Sequence, residues 1–207
     1  MSRYLQRQAG IYCRFIVLVL KHAGDEMTEV KQWQQIGTRQ LADCRIFTVD
    51  AIKSISPKTD AEHEFYAINT ADWVNIVPIT ADNELVCIRQ YRHGSAEITL
   101  EIPGGMVDAG ELPKPAAARE CLEETGYEAL NLSSLGVLNP NPAIFTNKLH
   151  TFIARDVKKI AEISNTSTEH TEVVLVPMDE VPQKLLSGEI DHSLVAATLW
   201  RALFLKA

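Results

Sequence analysis

Positive charge is what this chain has too little of. Its 207 residues carry 20 Lys and Arg against 27 Asp and Glu, a formal net charge of −7. Broad attachment to nucleic acid or to an anionic membrane needs a basic footprint, so neither partner is expected. An acidic protein still binds anionic phosphates where metal ions mediate. Cysteine is scarce as well. Cys13, Cys44, Cys87 and Cys121 form no C-x-x-C pair, and three of them lie in apolar or strand-like stretches. That pattern fits reduced, buried thiols in a cytoplasmic protein. Repeats and low-complexity tracts are absent.

Long apolar runs are lacking too. Phe15–Leu20 follows Arg3, Arg7 and Arg14 in the manner of a signal peptide, but Lys21-His22 interrupts it and no small-residue cleavage pattern follows. The run is far too short to span a bilayer. Met27 offers an alternative start; an extra strand or helix is the other reading of this segment. With 46% hydrophobic and 23% charged residues, the composition is that of a globular chain with a real core. The length fits one domain with a small appendage. Residues 1–32 are read as an N-terminal extension and 33–207 as the domain.

From Trp33 to Arg92 the pattern is strand-like. Cys44–Ile52, Glu64–Asn69, Trp73–Thr80 and Leu85–Arg92 are rich in β-branched and aromatic residues, with turn chemistry at 56–60 and 81–83. Leu135–Leu138, Leu149–Val157 and Thr171–Val176 read as later strands, and Asn139-Pro140-Asn141-Pro142 as a rigid loop. Ile160–Thr171 is polar and expected to be mobile. A short helix ending before Gly188 and an amphipathic helix over His192–Lys206 close the chain. Strands, helix, strands and terminal helices imply a mixed α/β layered protein.

The chemistry concentrates between Gly104 and Tyr127, GGMVDAGELPKPAAARECLEETGY. Ala116–Thr125 has strong helix formers and no internal Gly or Pro; Pro113 and Pro115 suit its entry, and Gly126 suits a left-handed end. On that helix Glu120, Glu123 and Glu124 stand at i, i+3 and i+4 and crowd one face. Each like-charged pair costs roughly 0.2–0.5 kcal/mol when exposed, and more where water is scarce. A cation must offset this, either Arg119 or a hard divalent ion. An isolated Glu-Glu pair is usually only a solvated face. Here Gly105, Glu111 and Arg119 stand in register with the glutamates, and chance delivers seven such fixed residues on the order of once in 10⁶ sequences.

That spacing resembles the signature of the Nudix hydrolases at every charged and glycine position. The resemblance implies an α/β/α sandwich around a mixed sheet, with N-terminal strands used to form a homodimer. It implies Mg²⁺ as cofactor, with Mn²⁺ as the alternative. Glu120 and Glu124 would be the principal metal ligands, joined by the Gly104 backbone carbonyl. Glu123 would bind a further metal or act as a base, and Arg119 would hold Glu111 and orient the carboxylates. Cys121 stands where an aliphatic residue is usual.

Three further stretches resemble the ADP-ribose pyrophosphatases and related nucleoside diphosphate sugar hydrolases. They are Arg89-Gln90-Tyr91-Arg92 followed by Leu100–Gly105, Pro142 sixteen positions past Gly126, and Gly188-Glu189-Ile190-Asp191-His192 before an Ala-rich helix. Arg92 is the candidate phosphate clamp, since a guanidinium matches phosphate geometry; the plainer alternative is a strand-end ion pair. Glu101 is placed near the metals, or else on a solvated strand face. Glu169, ahead of Glu172, is the loop candidate for a catalytic base or further ligand. Trp33, Phe47 and Tyr66 are candidates for stacking on a base, although aromatic residues in strands are more often core. The implied activity is cleavage of ADP-ribose, GDP-mannose or a similar sugar nucleotide to nucleoside monophosphate and sugar phosphate. The alternatives are hydrolysis of a dinucleotide or capped RNA end, and a non-catalytic ADP-ribose sensor.

Overall fold

The computed structural model describes residues 29–205. Most of the expected N-terminal extension, with Phe15–Leu20 and Met27, lies outside them, as do the last two residues. A compact unit begins at Gln34.

The unit opens with a three-stranded antiparallel meander: β1 (Gln34–Asp43), β2 (Phe47–Ile55) and β3 (Glu62–Thr70). β1 lies in the strand-like stretch that begins at Trp33, ahead of the first individual strand expected, Cys44–Ile52. Its sequence, QQIGTRQLAD, has no apolar alternation and every residue is exposed, so pairing with β2 defines it rather than burial. The register runs from Gln34 opposite Ile55 to Asp43 opposite Thr48, with two irregularities. Between β2 and β3, the Ser56 hydroxyl accepts the N–H groups of Lys58 and Thr59 at 3.2 and 3.3 Å, an Asx-like turn built from Ser.

The second sheet holds β4 (Trp73–Thr80), β5 (Glu84–Arg92), β6 (Glu97–Glu101), β7 (Gly104–Met106), β8 (Tyr127–Glu128), β9 (Ser133–Leu138), β10 (Leu149–Lys159) and β11 (Thr171–Pro177). Its spine runs β11-β5-β4-β10-β8, with β6 on β5, β7 on β4 and β9 on β10. β4 and β10 are parallel and the other pairs antiparallel, so the sheet is mixed.

Both faces are covered, and β4 shows why. Val74 and Ile76 join a core beneath α1 (Pro113–Thr125), while Val77 and Ile79 join the core beneath α2 (Val181–Ser187) and α3 (Ser193–Phe204). Two-residue alternation in an apolar strand thus feeds two hydrophobic layers. The implied α/β/α layering is present.

α1 starts earlier than Ala116. Leu112 is its extended N-cap, and Pro113 and Pro115 fall within the first turn, whose N–H groups have no partner inside the helix. Gly126 ends it at φ 74°, its N–H donating to Leu122 O at 2.8 Å. Ala116, Ala117 and Cys121 press on the sheet, and such small side chains bring the helix backbone close to β4.

The 160–170 segment, expected to be mobile, is stitched to α1. Ile160 and Ala161 donate to Gly126 O, Ser164 N donates to Glu123 O at 2.9 Å, and the Thr171 hydroxyl donates to Glu124 O at 2.8 Å.

Candidate active site

The face of α1 that bears the acids forms one wall of a cavity of about 520 Å³ at the open end of β4, β5 and β6. Glu120, Glu123, Glu124, Arg119, Gly104, Arg92, Glu101 and Glu169 all line it. Sequence positions 92 to 169 therefore converge on one space. Pro142 and Glu172 do not line it: Pro142 is exposed on the β9–β10 loop, and Glu172 lies 3.9 Å from Arg89 on β5. Phe47 and Tyr66, on the three-stranded sheet, do not line it either, although Ile46 next to Phe47 does.

Arg119 organises the acids. Its Nε and Nη2 donate to the two Glu111 oxygens at 3.2 and 2.9 Å, and Nη2 also reaches Met106 O at 3.2 Å. Nη1 donates to Glu120 Oε1 at 2.8 Å and to Glu123 Oε2 at 3.1 Å. Hydrogen bonding to Glu111 heads the causes that raise the guanidinium's already high pKa, and the same contact lowers that of Glu111. Burial raises Glu120, against the pull of Arg119.

Glu124 is different. It is 3% exposed and takes the Gly104 N–H on Oε2 at 2.9 Å. Burial pushes its carboxyl up to about 8; Glu120 and Glu169 act in the same direction, while Gly104 N–H and Arg92 oppose them. The close approach explains the glycines. A Cβ on Gly104 would lie 2.3 Å from Val74 O, and one on Gly105 would lie 2.5 Å from Glu120 Oε1.

Arg92 meets Glu101 in a bidentate pair, Nε to Oε1 and Nη2 to Oε2, each at 2.7 Å. Thr99 Oγ1 adds a bond to Oε1 at 2.5 Å. Burial raises Glu101, but the bonds and charge of Arg92 together with Thr99 outweigh it and hold the carboxyl below its usual range. Glu101 is 2% exposed, so it does not face solvent. Glu169 accepts from the Thr166 hydroxyl at 3.2 Å on the loop stitched to α1.

Among the described residues, no three His, Cys, Asp or Glu side chains converge as a ready-made ligand cage. The reason is local: Arg119 engages Glu120 and Glu123, while Glu124 turns to the Gly104 N–H.

A model of the NUDIX domain matches residues 70–197 of the chain. This chain belongs to the Nudix family. Similar curated proteins include a methanol dehydrogenase activator of Bacillus methanolicus, 30% identical over 58% of this chain and 65% of that protein. An ADP-ribose pyrophosphatase of Bacillus subtilis is 27% identical over 56% and 64%, and the ADP compounds hydrolase NudE of Escherichia coli is 32% identical over 59% and 66%. The chain thus spans just under two-thirds of the length of these relatives. A crystal structure of ADP compounds hydrolase superposes with a TM-score of 0.75 at 24% identity, covering 84% of this chain and 94% of that one, and so shares the fold.

Nudix hydrolases generally depend on divalent metal ions. The donor chemistry of this Nudix helix fits such an ion. Glu120 and Glu124 offer carboxylate oxygens, burial drives both pKa values upward, and the backbone of Gly104 and Gly105 approaches within touching distance. The spacing of the motif gave no sign of Trp73, Gln90, Asp108, Thr166 or His192, which also line the cavity. They come from five separate segments, and only the tertiary fold brings them together.

Proposed function

We propose that this Nudix protein is a Mg²⁺-dependent pyrophosphohydrolase, with Mn²⁺ as the alternative metal, that splits nucleoside diphosphate sugars into nucleoside monophosphate and sugar phosphate. ADP-ribose is the first substrate to test, followed by GDP-mannose. The observation that carries this reading is the convergence of Glu120, Glu123, Glu124, Glu101, Arg92 and Glu169 on one cavity beside a two-glycine strand. The names of the Bacillus subtilis and Escherichia coli relatives support the substrate class.

In this reading Glu120, Glu123 and Glu124, with the Gly104 backbone, hold the metal. When bound, it supplies charge neutralisation at the phosphates and activation of the attacking water. Arg119, itself held by Glu111, orients Glu120 and Glu123 through direct hydrogen bonds. Arg92, itself aligned by Glu101, presents its guanidinium to a substrate phosphate. Glu169, on the loop fastened to α1, is the group that accepts the proton of the attacking water.

Release of AMP from ADP-ribose, assayed with Mg²⁺ and with EDTA, is the test. Turnover should need Mg²⁺ and fall at least about 100-fold in Glu124→Gln, since even outer-shell partners of a metal are commonly worth 10–100-fold. Undiminished turnover in that variant would remove Glu124 from the metal site.

The exposed three-stranded sheet, with Ile36, Leu41 and Tyr66 on its surface, supports pairing with a second copy. Light scattering should report a homodimer, and a monomer at micromolar concentration overturns that. No helix among the described residues is long and apolar enough to cross a membrane. The free thiols of Cys44, Cys87 and Cys121 support a reducing, cytoplasmic setting.

A further inference from the structure

α3 begins at Ser193, with His192 as its N-cap residue. Ser, Thr, Asp and Asn are the usual occupants of that position, because a short side chain with an acceptor oxygen bonds the free N–H groups of the first turn. His192 makes no such bond. Its side chain lines the cavity instead. The frame that carries it is well anchored. On one side Ile190 is 2% exposed and its N–H donates to Lys184 O at 3.1 Å. On the other, Val195 and Leu199 are buried in the core, and Thr198 accepts the Asn75 amide of β4 at 3.3 Å. The imidazole is thus held at the cavity wall by its neighbours in the chain and not by a bond of its own.

Nδ1 of His192 is buried and has no hydrogen-bond partner among the described residues. A buried N–H without an acceptor is rarer in folded proteins than an acceptor left unused. Nδ1 is therefore the bare nitrogen, and in the neutral ring the proton sits on Nε2. Nε2 is not enclosed in this way, and no group among the described residues takes its proton. Glu101 is near enough for the charges of the two groups to interact, but its oxygens already accept from Arg92 and Thr99. Arg92 commits Nε and Nη2 to the same carboxylate and leaves Nη1 without a partner among the described residues. Two free donors around one saturated carboxylate suit a ligand that only accepts. A sugar hydroxyl would bring a proton of its own to face them. A phosphate oxygen brings none.

Resting on the hydrolase reading above, we infer that His192 is a further substrate-binding residue, whose Nε2–H donates to an oxygen of the phosphate that Arg92 clamps.

Nitrogen NMR of the uniformly ¹⁵N-labelled full chain reads the ring directly, with the His192 signals assigned by their loss in His192→Gln. At pH 8 with Mg²⁺ present, the ring should be the neutral Nε2–H tautomer. AMP, ribose 5-phosphate and adenosine are then titrated separately. Saturable movement of Nε2 with AMP or ribose 5-phosphate supports the assignment, and the larger movement identifies the half of the substrate whose phosphate is bound. No movement with either, as large a movement with adenosine, or a proton on Nδ1 overturns it. Kinetics on ADP-ribose supply a second arm. KM should rise roughly tenfold in His192→Ala, the worth of one hydrogen bond to a charged group, with kcat within about threefold. His192→Gln, whose amide nitrogen falls near the lost Nε2, should recover most of this, and the shorter His192→Asn should not. An unchanged KM in His192→Ala, or equal behaviour of the Gln and Asn variants, overturns the assignment. The two readings fail separately. If no sugar nucleotide is hydrolysed yet AMP or ribose 5-phosphate still moves Nε2, the hydrolase reading falls and the phosphate contact stands. Should His192→Ala not fold, the NMR arm decides alone.

Discussion

Removing the guanidinium of Arg92 should destabilise the protein mainly by stranding its partner. Glu101 is 2% exposed and its carboxylate takes three bonds, two at 2.7 Å from Arg92 and one at 2.5 Å from Thr99. In Arg92→Met only the Thr99 hydroxyl is left to a buried negative charge. Breaking a fully buried pair from one side costs roughly 3–5 kcal/mol. Arg92 itself is 40% exposed, so water reaches the space it leaves, and the expected loss is about half that, ~2 kcal/mol. The double variant Arg92→Met with Glu101→Leu should recover most of it, because no unpaired charge is then buried. Urea unfolding of wild type, both single variants and the double variant measures this, and the cycle should show a coupling of about 1–2 kcal/mol. A loss under about 0.5 kcal/mol in Arg92→Met, or a double variant as unstable as the sum of the singles, refutes the reasoning.

The same pair sets a dependence on acid. The folded-state pKa of Glu101 lies below its ordinary value of 4.5, so its stabilising contribution is complete above 4.5 and is lost as pH falls through the lower folded value. Unfolding free energies between pH 6 and pH 3 should fall less in Glu101→Gln than in wild type; parallel curves would contradict this. Gly104→Ala should lower stability by roughly 1–3 kcal/mol through overpacking, since its Cβ would meet backbone oxygen rather than a movable side chain. Thermal melts check that, and a Tm equal to wild type counts against the close approach. In a Cys13→Ser background, a thiol reagent should label exposed Cys44 quickly and reach Cys87 and Cys121 only on denaturation, because burial pushes both of the latter up to about 12. Rapid labelling of three thiols in native protein would contradict their burial.

The Nudix helix was legible because its information is local. Charge spacing, the two prolines and Gly126 fix its ends and its acidic face within fourteen residues. β4, β5 and β10 were legible for a related reason, since strands buried on both faces carry apolar runs that little else explains. β1 was not, because an exposed strand of Gln, Thr and Arg has no burial pattern and owes its conformation to its partner. β6, β7 and β8 are too short to show a period. The cavity lay further from view. Trp73 reads only as the first residue of a strand, and His192 only as the start of a helix, until the parallel pairing of β4 with β10 and the docking of α3 bring them near Gly104. Arg92 was read as a phosphate clamp or a strand-end ion pair. The fold supplies the pairing with Glu101, which the sequence separates by nine residues and a hairpin.

The anchoring of the 160–170 segment has a mechanical corollary. Four hydrogen bonds, from Ile160, Ala161, Ser164 and Thr171, fasten it to the last turn of α1 and to Gly126. Glu169 therefore shares a rigid frame with Glu120 and Glu124, although more than forty residues of chain separate them. A lengthened segment that kept every acid but slackened these fastenings would leave the same inventory of carboxylates at the wrong mutual spacing. Substitutions at the tip leave those moorings in place, whereas a change in the length of chain between them does not.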